Sequence, residues 1–93
     1  MNSDKFINIC INEIVNYFNN EVETTDKFKI SREDVFVVWS CKTLQNNKAL
    51  LSTTVSDGMY YELTYNGDKN ELYFDAYKKW KNKKITLSFG GAN

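Results

Sequence analysis

The chain contains no histidine. Histidine is the usual general base near neutral pH, the commonest metal ligand, and the base in Ser-His and Cys-His nucleophile pairs. Its absence excludes those catalytic arrangements. Glycine is scarce as well, with four residues, and Gly58 and Gly67 are sufficiently explained as turn residues. The sequence therefore has no Gly-rich phosphate-binding loop, and we expect no enzymatic activity.

The sequence also has few cysteines and no long apolar run. The two cysteines, Cys10 and Cys41, are too few for the disulfide framework of a small secreted protein, and the N-terminus lacks the residue order of a signal peptide. No apolar run approaches the ~18 residues of a membrane-spanning helix. We therefore expect a soluble protein of a reducing cytoplasm, with both cysteines buried as small hydrophobic residues and with no metal or cofactor.

Charge of one sign is not in excess, because 12 basic and 12 acidic residues cancel. No global field then draws the chain to nucleic acid or to an anionic membrane. What the chain does have is aromatic residues: six Phe, six Tyr and two Trp supply large side chains for a thin core. Its 93 residues predict a single domain spanning 1–93.

The N-terminal segment predicts one amphipathic helix over 3–22, with Ser3 as its cap. Apolar residues recur there at steps of three and four, which places them on one helical stripe. They are Phe6, Ile7, Cys10, Ile11, Ile14, Val15, Phe18 and Val22. A polar connection follows, with a short turn capped by Ser31.

Four later runs are rich in β-branched and aromatic residues, which predicts strands over 35–44, 49–55, 59–65 and 71–77. The asparagine-containing stretch 45–48 is the predicted turn between the first two, because asparagine tolerates a positive φ. Short connections predict antiparallel neighbours in a meander. A fifth strand over 85–89 would extend the sheet to 35–89, and the tail "GGAN" after it is expected to fray.

Alternation along the strands predicts which side chains face the helix. In the third and fourth runs these are Met59, Tyr61, Leu63, Tyr65, Leu72, Phe74 and Ala76. The first run is apolar in both alternating sets, which favours a central strand partly covered on both faces. The sequence thus predicts an α+β fold, with an N-terminal helix packed on a four- to five-stranded antiparallel β-meander.

The strand face turned away from the helix is the first candidate binding surface. It would carry Tyr60, Glu62, Tyr73, Asp75 and Tyr77, with Ser40, Lys42, Ser52 and Thr54 further along. Tyrosines beside acids are typical of protein interfaces, although tyrosine is also simply a good strand former. Glu62 and Asp75 could face each other across the third and fourth strands, and such a carboxylate pair is the minimum for general acid-base catalysis. We favour the interpretation that this face is solvated, because a carboxylate pair with shifted pKa values needs burial.

The second candidate is the lysine cluster "YKKWKNKK", residues 77–84, which includes Lys78, Lys79, Trp80 and Lys81. Lysines interleaved with aromatic rings are typical of sites that bind single-stranded nucleic acid. The alternative is a charged strand end that discourages aggregation. We favour the alternative, because zero net charge is atypical of proteins that bind through phosphate contacts.

Residues 34–85, and above all the stretches "KTLQNNKALLSTT" and "GMYYELTYNGDK", resemble a family of small proteins encoded by phages and prophages of low-GC Gram-positive bacteria. The family is a domain of unknown function, of the DUF6275 type, and supplies no catalytic residue to carry over. What the resemblance implies is a phage accessory protein that acts in the bacterial host cytoplasm. Such proteins commonly occupy a surface of a host protein.

The combined interpretation is a non-enzymatic inhibitor that binds and blocks a host protein or nucleoprotein complex. A bacterial defence component is the expected target, with a CRISPR-Cas effector as the first candidate. Two alternatives remain open: a sponge that sequesters a nucleotide immune signal, and an accessory protein that binds single-stranded nucleic acid. The predicted contacts are Tyr60, Glu62, Tyr73, Asp75, Tyr77, Lys78, Lys79, Trp80 and Lys81.

Overall fold

The N-terminal segment forms one continuous helical element. In the computed structural model, which describes residues 1–23 and 25–88, helix α1 spans Ser3–Tyr17 and continues as a π-helical turn over Phe18–Val22. This confirms the helix predicted over 3–22. The stripe of apolar residues at helical spacing explains why the segment is helical. Packing of this stripe stabilises the helix, although its asparagines have low helix propensity.

Capping residues are present at both predicted helix starts. The cap of α1 lies one position before the predicted Ser3. Asn2, not Ser3, caps α1: its Oδ1 accepts a hydrogen bond of 2.8 Å from the backbone N–H of Lys5. Ser31 caps the short 3₁₀ turn that precedes the sheet, as predicted, and its backbone N–H donates to Asp34 Oδ2 at 2.9 Å. In both cases a side-chain oxygen accepts a hydrogen bond from a backbone N–H at a helix start.

Four strands form an open antiparallel sheet in the order β1-β2-β3-β4. The strands are β1 Val35–Thr43, β2 Asn46–Thr53, β3 Met59–Asn66 and β4 Glu71–Lys78. Each strand pairs with the next along the chain, which confirms the predicted meander. The fold is α+β, with α1 packed on one face of the sheet.

The core lies between α1 and the sheet face that it covers, which we call the inner face. The buried hydrophobic residues are Phe6, Cys10, Ile14, Phe18, Ile30, Val35, Ala49, Leu51, Tyr61 and Leu63. Tyr61 lies at the centre of an aromatic cluster, with its ring centroid 5.9 Å from that of Tyr17 and 5.8 Å from that of Phe74. The predicted inward set of β3 and β4 is therefore confirmed at Tyr61, Leu63 and Phe74.

The prediction that the first strand is central was wrong, because β1 is an edge of the sheet. Only Val35 is buried in it. Its apolar residues on both faces remain between 39% and 48% exposed: Phe36, Val37, Val38 and Trp39. Apolar residues in both alternating sets normally indicate cover on both faces. Here they indicate an edge with little cover on either face.

A bulge at Val38 changes which β1 residues face outward. Val37 pairs with Leu51, whereas Trp39 pairs with Leu50, so Val38 has no cross-strand partner in β2. An extra residue in one strand shifts its alternation relative to its neighbour. Trp39 consequently shares the outward face with Leu50.

The turn between β1 and β2 consists of Leu44 and Gln45, since Thr43 pairs with Asn46 across it. The prediction that 45–48 forms this turn was wrong. The positive φ that the turn needs, 56°, is adopted by Leu44 instead of an asparagine. The two asparagines begin β2.

Tertiary contacts explain the position of this turn. Asn47 extends the inner row of β2 and is buried, and Asn46 Oδ1 accepts a hydrogen bond of 2.9 Å from the backbone N–H of Gly67 in the β3–β4 turn. The two turns touch so closely that a Cβ added at Gly67 would clash with the carbonyl oxygen of Gln45. Only glycine permits this approach.

Replacing Leu44 with glycine should stabilise the protein. A branched side chain in the left-handed region costs about 1–2 kcal/mol, and Leu44 is 81% exposed, so its side chain gains little from packing. After the entropy cost of glycine, we expect Leu44→Gly to raise the free energy of unfolding by about 0.5–1 kcal/mol. Denaturant titration measures this. The matched control is Gln45→Gly, which should lower stability because Gln45 does not have a positive φ.

The chain beyond β4 adds no further strand within the described residues. Residues 79–88 form neither helix nor strand, so the fifth strand predicted over 85–89 was wrong for 85–88, and Phe89 and the tail 90–93 lie outside the described residues. Ile85 and Leu87 are 68% and 64% exposed. The preceding lysine run discourages pairing along β4, as charged residues do at sheet edges.

Candidate interaction surface

The sheet face opposite α1, which we call the outer face, carries the five strand residues predicted to bind. The cross-strand pairs are Tyr60 with Tyr77, Glu62 with Asp75, and Thr64 with Tyr73. Paired side chains have Cβ atoms about 4.5–5.5 Å apart. The five predicted residues therefore lie together, and we call Tyr60, Glu62, Tyr73, Asp75 and Tyr77 the tyrosine-acid patch. Tyr73 and Tyr77 are each about half exposed.

Charges within the patch are only partly paired. Glu62 Oε2 lies 3.7 Å from Lys48 Nζ on the neighbouring strand, a partly exposed pair that contributes little to stability. The hydroxyl of Tyr73 donates to Glu71 Oε1 at 2.8 Å, and this hydrogen bond raises the pKa of Tyr73. Asp75 has no ion pair among the described residues. An approaching partner would meet an exposed carboxylate there.

The predicted basic residues are divided between surfaces. Lys79 joins the outer face, since its Nζ lies 5.6 Å from the centroid of the Tyr60 ring, a cation–π distance. Its backbone N–H donates to Gly58 O at 2.7 Å, which fixes this residue beside β3. Lys78 pairs with Met59, so strand alternation directs it to the opposite face from Tyr77.

Trp80 and Lys81 extend away from the sheet. Trp80 is 93% exposed, and Lys81 is exposed in the segment without helix or strand. A ring this exposed packs against nothing large. The structure thus brings together the strand residues and Lys79, whereas Lys78, Trp80 and Lys81 are not part of that patch.

Sequence patterns did not indicate three apolar residues that extend the outer face. Phe36 pairs with Ser52, and Trp39 pairs with Leu50. These pairs continue the rows that contain Tyr60 and Glu62, because Ser52 and Leu50 also pair with those residues. Ser52 lies on this face as predicted but is buried, with its Oγ donating to Met59 O at 2.7 Å. Phe36, Leu50 and Trp39 make the β1 side of the outer face apolar.

Ser40 and Lys42 do not lie on the outer face, contrary to the prediction. Ser40 pairs with Ala49 and Lys42 with Asn47, both of which belong to the inner row of β2. The bulge at Val38 is the reason, because it exchanges the faces of all later β1 residues. The exchange was visible in the sequence only as an apolar run without clean alternation.

The two cysteines lie on opposite sides of the sheet, Cys10 in α1 on the inner side and Cys41 in β1, and both are free. Cys10 is fully buried in the core, as predicted, and burial raises the pKa of its thiol to about 12. Cys41 is exposed, so the prediction of burial was wrong there. Its pairing with Lys48 places it on the outer side of the edge strand.

The outer face offers contact area and hydrogen-bonding groups. In the ranges 1–23 and 25–88 there is no group of three or more His, Cys, Asp or Glu that could hold a metal ion, and no enclosed pocket. Glu62 and Asp75 face each other as predicted, on an open surface. No helix in these ranges is long and apolar enough to cross a membrane.

A protein-family model matches residues 7–87 of the chain, and its description is "Family of unknown function (DUF6275)". The match spans all four strands and most of α1. The chain therefore belongs to this family. No curated protein and no solved structure gives a significant match.

Proposed function

We propose that this protein is a phage-encoded, non-enzymatic inhibitor that binds a host protein through the outer face of its sheet and blocks it. The proposed target is a bacterial defence component, with a CRISPR-Cas effector as the first candidate. One observation supports the binding role above others: the tyrosine-acid patch is a contiguous surface on the face that α1 leaves uncovered. The phage setting rests on the sequence resemblance.

The patch has the physical properties of a contact surface for a protein. Tyrosine rings give a large contact area with few rotatable bonds, and their hydroxyls and the neighbouring carboxylates orient a partner. Tyr60, Tyr73 and Tyr77 are carried by paired strands, so little conformational entropy is lost when they are covered. A rigid, mixed-polarity surface of this kind favours occupation of a partner over chemical change of it.

The test is a phage-plating assay in a bacterium with active CRISPR-Cas immunity. Expression of the wild-type protein should restore plating of the targeted phage, and the double variant Tyr73→Ala/Tyr77→Ala should restore at least about tenfold less, because interface tyrosines commonly contribute more than 1 kcal/mol each. The control is Glu13→Ala/Asn16→Ala, which changes exposed residues of α1.

Equal plating with both double variants, each shown to be folded by circular dichroism, would exclude the patch as the binding surface. No restoration by the wild type would exclude the CRISPR-Cas target.

Binding of single-stranded nucleic acid is the second candidate, favoured by one observation. Trp80 is 93% exposed and lies among Lys79, Lys81 and the other lysines of 77–84. A base-stacking ring among phosphate-contacting lysines predicts affinity that falls steeply with salt, whereas a mixed-polarity protein interface weakens only modestly. Fluorescence anisotropy with a labelled oligonucleotide at two salt concentrations, for wild type and Trp80→Ala, separates the two. If the protein is instead a nucleotide sponge, added nucleotide alone should raise the melting temperature of the protein.

A further inference from the structure

We propose that the free edge of β1 pairs with β1 of a second copy of this chain, giving an antiparallel dimer that joins the two four-stranded sheets into one. The proposal concerns an edge of the sheet, and it goes beyond the function proposed for the tyrosine-acid patch. It rests on the exposure of β1, on the contrast with β4, and on the charges at the two ends of β1.

The edge of β1 has few of the features that discourage strand pairing: one lysine, Lys42, near its end and the bulge at Val38. No charged residue occurs from Val35 to Cys41, and the chain contains no proline. Apolar residues are exposed on both of its faces. Proteins usually protect such edges with lysine, proline or short strands. A nine-residue edge strand whose first five residues are apolar is a template for another strand.

The opposite edge of the sheet is protected. β4 carries Glu71, Asp75 and Lys78, and these charges are distributed along its length and over both of its faces. Charges at these positions make pairing with a further strand unfavourable. The difference between the edges indicates that β1 is the edge covered by another chain, whereas β4 stays in solvent.

Charge complementarity favours a second copy in antiparallel orientation. Glu33 and Asp34 precede the apolar stretch of β1, and Lys42 follows it. When two copies align antiparallel about the middle of the strand, the acidic start of each lies beside the basic end of the other. A parallel alignment would place like charges together, which is unfavourable.

The same arrangement covers the apolar residues on both sides of the edge. A two-fold axis perpendicular to the sheet puts both α1 helices on the inner face, as an isologous dimer requires. Val37, on the inner face, and Val38, at the bulge, then lie close to the middle of the partner's β1. Trp39, near the middle of the strand, approaches its equivalent on the outer face, whereas Phe36 lies further from the axis, opposite later residues of the partner's β1. The apolar residues nearest the axis, Val38 and Trp39, are thus covered by the second copy.

The first test measures mass in solution by sedimentation equilibrium. We expect the wild type at twice the 10.9 kDa chain mass, and we expect Val38→Lys to dissociate at least about tenfold more readily, because it places like charges near the dimer axis. The control, Ala76→Lys, adds the same charge to an exposed position of β4 and should remain dimeric. A wild type that is monomeric up to roughly 0.5 mM would overturn the proposal. So would a dimer that Val38→Lys leaves unchanged.

The second test needs no substitution. Cys41 is exposed and Cys10 is fully buried, so a thiol-reactive nitroxide labels one site in each folded chain. Antiparallel pairing about the middle of β1 puts the two Cys41 Cα atoms roughly 15–20 Å apart, from the ~3.3 Å rise per strand residue. Double electron–electron resonance should give one narrow distance consistent with this separation plus the label arms. A much longer distance would place the contact elsewhere and reject the β1 pairing.

Discussion

Replacing Leu51 with alanine should destabilise the protein by about 3–5 kcal/mol, the range found when a large core side chain is truncated. Leu51 is fully buried on the inner face between α1 and the sheet. Its loss removes apolar contacts and leaves a cavity that a thin core cannot refill. Because small domains have only about 5–15 kcal/mol of stability in total, urea or guanidinium titration should show a large fall in the unfolding midpoint.

The neighbouring residue is a matched control for this prediction. Leu50 has the same side chain but lies on the outer face, where it is half-buried beside Trp39 and Glu62. Leu50→Ala should cost about 1 kcal/mol, since less apolar area leaves water on folding at that position. Equal losses in the two variants would contradict the assignment of the inner and outer faces. The comparison therefore tests the register of β2 as well as its burial.

Raising the pH above about 9 should destabilise the protein, by on the order of 4 kcal/mol at pH 11. Burial raises the pKa of the Cys10 thiol to about 12, from 9.0 in the absence of the fold. Burial, together with the Asp57 carboxylate, raises the pKa of Tyr61 to about 12, from 10.0. Between these values the unfolded chain binds fewer protons than the folded one, so stability falls by about 1.4 kcal/mol per pH unit for each group. Below pH 9 both groups are protonated in both states and contribute no pH dependence.

Two variants separate the contributions to this alkaline loss. Cys10→Ala should remove the part that begins near pH 9, and Tyr61→Phe the part that begins near pH 10. Tyr61→Phe should cost little at neutral pH, because the buried Tyr61 hydroxyl has no hydrogen-bond partner among the described residues. The measurement is the free energy of unfolding from pH 8 to pH 11. If Cys10→Ala parallels the wild type over that range, burial of the thiol is not a source of the loss.

Local patterns were sufficient for the order of elements. Helical spacing from Phe6 to Val22 identified the helix, and period-two alternation identified β3 and β4 with their inward residues Tyr61 and Leu63. Both periodicities depend only on neighbouring residues and on the geometry of a single element. The same alternation grouped the five residues of the tyrosine-acid patch on one face, and the register confirms that they lie together.

The errors concern places where another element decides the local structure. The turn at Leu44 and Gln45 is set by the register of β2 and by the contact with Gly67, against the preference of asparagine for turns. The bulge at Val38 exchanges the faces of the later β1 residues. The sequence prediction therefore placed Ser40 and Lys42 on the wrong face and missed the outward position of Trp39. A one-residue shift reverses every side chain beyond it.

By itself the sequence determined the α+β fold, a helix followed by a meander, and the absence of the histidine-based chemistry that many enzymes use. Those properties follow from composition and from periodicities that are local to each element. Only the tertiary structure decided that β1 is an edge, because whether a strand has one neighbour or two depends on how the whole sheet is ordered. The apolar residues Phe36, Val37, Val38 and Trp39 would have the same sequence pattern in either position, and it is their lack of a second neighbour that leaves them exposed.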